Sequence, residues 1–112
     1  EVAGDMLRHL GYEVEFAGDG LEAIKSYIAA RRLRKPFAAV LMDLTVRGGM
    51  GGREAARKLL ELDPNAKVIV SSGYATDPVM TQYTHHGFSG AVHKPYKIQE
   101  LSAALHSALQ TA

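Results

Sequence analysis

The sequence predicts an α/β fold in which helices cover both faces of a doubly wound parallel sheet. Short apolar runs of strand length alternate with longer segments whose apolar residues recur at helical spacing, in the order αβαβαβαβα. Strands that alternate with helices in this way form parallel sheets through right-handed crossovers. The chain has 112 residues and no internal repeat or linker, so we expect one domain over residues 1–112.

The N-terminal part predicts a helix, a strand and a second helix. The first helix ends at Gly11, a residue suited to a C-terminal cap. Tyr12–Ala17 alternates apolar and charged residues, which is typical of a strand with one exposed face. Asp19 is placed to cap the next helix, with Glu22 completing a capping box, and that helix stops before Pro36.

Three later strands are predicted from apolar runs. Ala38–Met42 contains no polar residue, as expected for a strand that helices bury on both faces, and it ends at Asp43. Lys67–Val70 and Gly90–His93 are the other two strands.

Three helices are expected in the same part of the chain. One carries Leu59 and Leu60, and the next begins at Thr76-Asp77-Pro78 and ends at Gly87. The last helix is amphipathic, with apolar residues Ile98, Leu101, Leu105 and Leu109.

Composition excludes several classes of protein. The sequence has no cysteine, which removes disulfides and thiolate metal sites and suits a reducing cytoplasm. A formal net charge of +1 argues against a nucleic-acid-binding surface. No apolar stretch reaches the roughly twenty residues that a membrane span requires, and the N-terminus does not resemble a signal peptide. We therefore expect a cytoplasmic domain that itself binds neither nucleic acid nor membrane.

Asp43, Ser72 and Lys94 each follow or end a predicted strand. Because ligands of open parallel sheets bind at the carboxyl ends of the strands, these three side chains should converge. A carboxylate nucleophile, a hydroxyl donor and an ammonium that offsets charge on equatorial oxygens suit phosphoryl transfer. Each residue alone has an ordinary explanation as a turn, cap or solvated residue, so the hypothesis depends on the three together.

The sequence resembles the response-regulator receiver domain of two-component systems. The likeness is carried by Val40–Leu44, by Val68–Gly73 and by Gly87–Tyr96, and it extends over nearly the whole chain. Asp43 and Ser72 are 29 positions apart, and Ser72 and Lys94 are 22 apart, as in that family. The loop from Asp43 to Gly52 is most similar to the C-terminal receivers of hybrid sensor histidine kinases, so the parent chain could be such an enzyme although the domain itself is not a turnover enzyme.

The resemblance implies a fold and a set of roles. The sheet would be flavodoxin-like, with five strands in the order 2-1-3-4-5. Asp43 would accept a phosphoryl group from a histidine kinase or a histidine phosphotransfer protein, with Ser72 as the switch hydroxyl and Lys94 as the active-site lysine. Mg2+ would bind Asp43 and the backbone carbonyl of Thr45, and the bond before Pro95 would be cis.

Two departures from the family pattern affect these expectations. Ala91 stands where receivers often have a switching aromatic residue, which leaves Tyr96 or Tyr74 as the candidate for that role. The first strand of the family and its metal-binding acidic pair are absent from this sequence. We expect an upstream apolar strand to fill that place between Tyr12–Ala17 and Ala38–Met42, or another chain to fill it by strand exchange in a homodimer.

Two other functions remain open from the sequence. A degenerate receiver would keep the fold and act only through protein contacts. A haloacid dehalogenase-like phosphohydrolase also uses a strand-end aspartate, a later hydroxyl and a lysine. That family usually has a second acid two residues after the nucleophile, where this sequence has Thr45.

Overall fold

The computed structural model describes residues 2–45, 50–74 and 76–110. From the second helix onward, helices alternate with strands, as the sequence predicts. The elements in chain order are α1 (Val2–His9), α2 (Gly20–Arg32), β1 (Val40–Asp43), α3 (Gly52–Leu62), β2 (Val68–Ser72), α4 (Pro78–Thr81), a 3₁₀ turn (Tyr83–His86), β3 (Gly90–His93) and α5 (Ile98–Gln110).

The sheet is parallel and has β2 at its centre, in the order β1-β2-β3. Every residue of β2 is buried, which explains why its sequence is mostly β-branched and apolar. Alternate residues of β2 enter two different cores. Val68 and Val70 pack with α2 and α3 in one cluster, whereas Ile69 packs on the other face in the α5 cluster, which comprises Ile69, Val92, Leu101, Leu105 and Ala108. Helices thus cover both faces of the sheet, and the α/β fold class is confirmed.

The number of strands differs from the five expected, because the described residues form three. Tyr12–Ala17 was predicted as a strand, and this prediction is wrong: the segment has no regular secondary structure. A cavity of about 530 Å³ lies between this segment and β1, lined by residues from both. A strand is defined by hydrogen bonds to a neighbour, and within the described ranges Tyr12–Ala17 has no strand beside it. The cavity is at the place that the order 2-1-3-4-5 assigns to a first strand.

The predicted helix caps are largely confirmed. Asp19 Oδ1 accepts a hydrogen bond from the amide of Glu22 at 2.9 Å, and Glu22 Oε2 accepts one from the amide of Gly18 at 2.6 Å. Asp77 caps α4 by accepting from the amide of Val79. The helix expected from Thr76 to Gly87 is instead divided into α4 and the 3₁₀ turn, which Gly87 closes with a φ of 82°. Among the described helices, none has the length and apolar character needed to cross a bilayer.

Candidate functional site at the carboxyl ends of the strands

Asp43 is the last residue of β1, and both of its carboxylate oxygens have partners. Oδ1 accepts hydrogen bonds from the amide of Thr45 at 2.9 Å and from the hydroxyl of Thr45 at 2.6 Å. Oδ2 forms an ion pair with the ammonium of Lys94. The carboxylate is therefore held by its own turn on one side and by a residue 51 positions away on the other.

Lys94 follows β3 and reaches both residues of this turn. Its Nζ contacts Asp43 Oδ2 and donates to Thr45 Oγ1 at 3.1 Å. Its backbone amide donates to the carbonyl of Ser72 at 3.0 Å, which continues the ladder between β2 and β3. Asp43, Thr45 and Lys94 thus form a closed ring of contacts, and the side chains of Asp43 and Lys94 remain about one third accessible to solvent.

The pKa of Asp43 lies below its ordinary value. Partial burial of the carboxyl group raises the pKa, but hydrogen bonds from Lys94 and from the hydroxyl and amide of Thr45, with the charge of the ammonium, outweigh that cost. Asp43 is consequently ionised at neutral pH. An ionised carboxylate that is accessible to solvent has the electron pairs that a nucleophile needs.

Ser72 is the last residue of β2 and is 1% exposed. Its hydroxyl oxygen accepts a hydrogen bond from the amide of Tyr74 at 3.0 Å, so its own proton remains available for donation. Ser71, not Ser72, is the register partner of Asp43, and Ser72 lies one residue nearer the carboxyl end of the strands. The structure therefore joins Asp43 directly to Lys94 and brings Ser72 to the same edge.

Gly52 brings the first turn of α3 against the end of β1. A Cβ atom on Gly52 would lie 2.1 Å from the carbonyl oxygen of Asp43. Any residue other than glycine would therefore overlap that oxygen. The amide of Leu44 donates to the carbonyl of Ser71 at 2.8 Å. Asp43 is thus fixed by backbone contacts with two neighbouring elements.

The other residues singled out from the sequence lie around this ring. The Lys94–Pro95 peptide bond is cis. Ala91 is half-buried on β3 opposite Val70. Tyr96 packs against the α5 cluster, and its hydroxyl is 2.8 Å from Ser71 Oγ.

Two features of the site were missed from the sequence. The Thr45 side chain, considered there only for its carbonyl and its place in the chain, contacts both Asp43 and Lys94. Ser71 was not singled out at all. The signal for Ser71 was present, because it is a hydroxyl within a fully buried strand and so requires a partner.

The oxygen ligands at this site fit a hard cation such as Mg2+ in kind. Mg2+ is typically held by one or two carboxylates together with phosphate oxygens and water. Asp43 supplies one carboxylate, and the carbonyl of Thr45 lies in the adjoining turn. Within residues 2–45, 50–74 and 76–110, no group of three or more acidic, histidine or cysteine side chains is arranged as a metal site.

Comparison with known proteins matches residues 1–106 to the response regulator receiver domain. The chemotaxis protein CheY of Thermotoga maritima is 30% identical over 103 residues, which are 91% of this chain and 81% of that protein. The response regulator GacA of Pseudomonas protegens is 35% identical over 94 residues, and the match spans 78% of this chain but 43% of the relative.

A solved structure gives the same result in three dimensions. The receiver domain of a sensor histidine kinase from Pseudomonas aeruginosa superposes with a TM-score of 0.77 at 27% identity, covering 98% of this chain and 87% of that one. That structure has a magnesium ion coordinated in its active-site cleft.

Proposed function

The chain belongs to the response-regulator receiver domain family, and on this basis we propose that it accepts a phosphoryl group on Asp43 from a histidine kinase or a histidine phosphotransfer protein. The observation that carries the proposal is the contact of Asp43 with both Lys94 and Thr45 at the carboxyl edge of the sheet. An ionised carboxylate beside a single ammonium, at the edge where parallel sheets bind ligands, suits an acceptor of a phosphoryl group.

In the proposed reaction an oxygen of Asp43 attacks the phosphorus, and the bond between phosphorus and the donor nitrogen breaks. The donor imidazole leaves in its neutral form, because its other ring nitrogen keeps the proton that it carries in the phosphorylated donor. Lys94 is already in contact with the acceptor carboxylate, so its ammonium can offset charge on the transferred oxygens with little movement. Ser72 can donate its hydroxyl proton to one of these oxygens while it continues to accept from Tyr74.

A divalent cation belongs to the same proposal. Asp43 and the carbonyl of Thr45 would hold Mg2+, and the ion when bound supplies positive charge to the phosphoryl oxygens. The oxygen donors of this turn support the assignment, as does the magnesium ion in the similar receiver of the P. aeruginosa sensor kinase.

We further propose that the domain operates in the cytoplasm as part of a hybrid sensor histidine kinase. Support comes from the loop between Asp43 and Gly52 and from the likeness to a sensor-kinase receiver. Positions 46–49 of that loop lie outside the described residues. Phosphorylation would alter the contacts of Lys94 and Ser72, and so bias the surface that a partner recognises.

The test is to incubate the full-length protein with Mg2+ and acetyl phosphate and to weigh the intact protein over time. A stable adduct of one phosphoryl group per chain is expected. Continuous release of phosphate with multiple turnovers would instead indicate a haloacid dehalogenase-like hydrolase. A protein that shows neither reaction, although folded by circular dichroism, would be a degenerate receiver that acts only through protein contacts.

A further inference from the structure

A part-buried hydrogen bond joins the hydroxyl of Ser71, on the strand beside Asp43, to that of Tyr96, two residues after Lys94. Ser71 Oγ and the hydroxyl oxygen of Tyr96 are 2.8 Å apart. Ser71 is fully buried in β2, where the preceding three residues are aliphatic. Burial of a hydroxyl is costly unless it has a hydrogen-bond partner, and Tyr96 supplies that partner. The pair therefore makes a specific link between β2 and the segment that follows β3.

The Ser71 end of this link is fixed relative to the acceptor residue. Ser71 is the register partner of Asp43 in the ladder between β1 and β2. Its carbonyl also accepts the hydrogen bond of the Leu44 amide at 2.8 Å. A displacement of Ser71 would consequently displace the backbone at Asp43 and Leu44.

The Tyr96 end is fixed relative to the lysine. Only Pro95 separates Tyr96 from Lys94, and the Lys94 amide donates to the carbonyl of Ser72 at 3.0 Å. The ring of Tyr96 packs against the α5 cluster. The segment 94–96 is thus attached at its first residue by a backbone hydrogen bond and at its last residue by the tyrosine ring and hydroxyl.

We propose that Ser71 and Tyr96 are positioning residues that hold Lys94 against Asp43 for phosphoryl transfer. Neither residue touches the reacting atoms. Lysine has a flexible four-carbon stem, so the place of its ammonium depends on how firmly its backbone is held. The hydroxyl pair ties that backbone to the strand that also positions Asp43. The assignment of a role in transfer rests on the proposed function of Asp43, whereas the tie itself does not.

The matched variants are Tyr96→Phe and Ser71→Ala, which each remove one hydroxyl and leave the surrounding packing nearly intact. Tyr27→Phe is the control, because the hydroxyl of Tyr27 donates a hydrogen bond to Asp63 at 2.7 Å, away from the site. Ser71→Thr keeps a hydroxyl at position 71 and should restore the behaviour of the native protein.

The first readout is the rate of phosphorylation of the full-length protein by acetyl phosphate. Tyr96→Phe and Ser71→Ala should each lower the maximal rate about 3- to 10-fold, and the double variant should lose no more than either single variant, because each removes the same hydrogen bond. Tyr27→Phe should be phosphorylated at the native rate. Losses that multiply in the double variant, or native rates in both single variants, would overturn the proposal.

The second readout does not depend on phosphorylation, so it separates failure of this inference from failure of the proposed function. Amide hydrogen exchange at Lys94 should be about 3- to 10-fold faster in Tyr96→Phe and Ser71→Ala than in the native protein, and unchanged in Tyr27→Phe after correction for global stability. Native exchange at Lys94 in both variants would show that the hydroxyl pair does not hold this segment, whatever the outcome of phosphorylation. Faster exchange in the two variants, together with a native protein that is not phosphorylated, would support the link between Ser71 and Tyr96 and reject the role of Asp43.

Discussion

Asp43 and Asp63 lie at the two ends of α3 and have closely similar surroundings. The first residue of α3 packs against the carbonyl of Asp43, and Asp63 caps the last turn. Asp63 Oδ1 accepts from the amide of Asn65 at 3.1 Å, much as Asp43 Oδ1 accepts from the amide of Thr45. Each carboxylate also accepts a hydroxyl hydrogen bond.

The pKa of both aspartates lies below the ordinary value. For Asp63 the hydrogen bond from Tyr27 is the main cause, and it outweighs the opposing effect of burial with help from Asn65 and the charge of Arg31. A lowered pKa therefore does not identify the acceptor. The two aspartates differ in their neighbours. Asp43 lies at the carboxyl ends of the strands with Lys94 and Ser72, whereas Asp63 links α2 to α3 through Tyr27. The candidate phosphorylation site is thus distinguished from a structural contact by side chains from three neighbouring strands that lie close together.

The largest expected difference between the two aspartates appears when the cation beside each of them is removed. Lys94→Ala should lower the rate of phosphorylation by acetyl phosphate about 100- to 1,000-fold, the usual result when one hydrogen-bond donor to the transition state is lost. Arg31→Ala removes a guanidinium 4.0 Å from Asp63 and should leave that rate unchanged. Phosphorylation of Lys94→Ala at the native rate would contradict the claim that Lys94 distinguishes Asp43 from Asp63.

The next largest effect concerns the glycine that lets α3 approach Asp43. Gly52→Ala should lower the free energy of unfolding by about 1–3 kcal/mol, because its Cβ would overlap the carbonyl oxygen of Asp43. Gly51→Ala is the control, since a Cβ there meets no atom within 4 Å. Its cost should be on the order of 0.5 kcal/mol, from a poorer helix cap. Equal urea midpoints for the two variants would contradict this packing argument.

The Asp63 end is expected to contribute to stability and not to phosphorylation. Tyr27→Phe removes the hydroxyl that donates to Asp63 at 2.7 Å and should cost about 0.5–1.5 kcal/mol of unfolding free energy. Urea denaturation measures this loss. A fall in the phosphorylation rate of the folded variant would mean that the two ends of α3 are coupled.

The last expected effect is the pH dependence of that same contact. Burial and the hydrogen bond to Asp63 raise the pKa of Tyr27 from 10.0 to about 12. Since the folded pKa exceeds the unfolded one, the stabilisation is complete below pH 10 and is lost as the pH rises to about 12. Native protein should accordingly lose stability more steeply than Tyr27→Phe over this interval. Parallel curves would show that the tyrosine is not held in its neutral form.

The sequence predicted those parts of the fold that depend on local pattern. The caps at Asp19 and Asp77 and the strand at Gly90–His93 follow from residue types at short spacing, and the structure has all of them. Tyr12–Ala17 alternates as a strand should, but a ladder requires a neighbour, and local alternation carries no information about one. The expected strand was wrong for this reason.

The candidate site was also predictable only where it depends on local pattern. Strand ends could be located from apolar runs, which placed Asp43, Ser72 and Lys94 at one edge. The contact of Ser71 with Tyr96 depends on the register of two strands and on the path of the segment after β3. Neither is encoded in local spacing, so a buried serine could be noticed from the sequence but its partner could not be named.

The most direct test of the account is to locate the phosphoryl group. The full-length protein and its Asp43→Asn and Asp63→Asn variants should be incubated with Mg2+ and acetyl phosphate, digested, and the phosphorylated peptide identified by mass spectrometry. We expect the native protein and Asp63→Asn to carry one phosphoryl group on the peptide that contains position 43, and Asp43→Asn to carry none. A label that persists in Asp43→Asn, or one that disappears only in Asp63→Asn, would contradict the central claim that Asp43 is the acceptor.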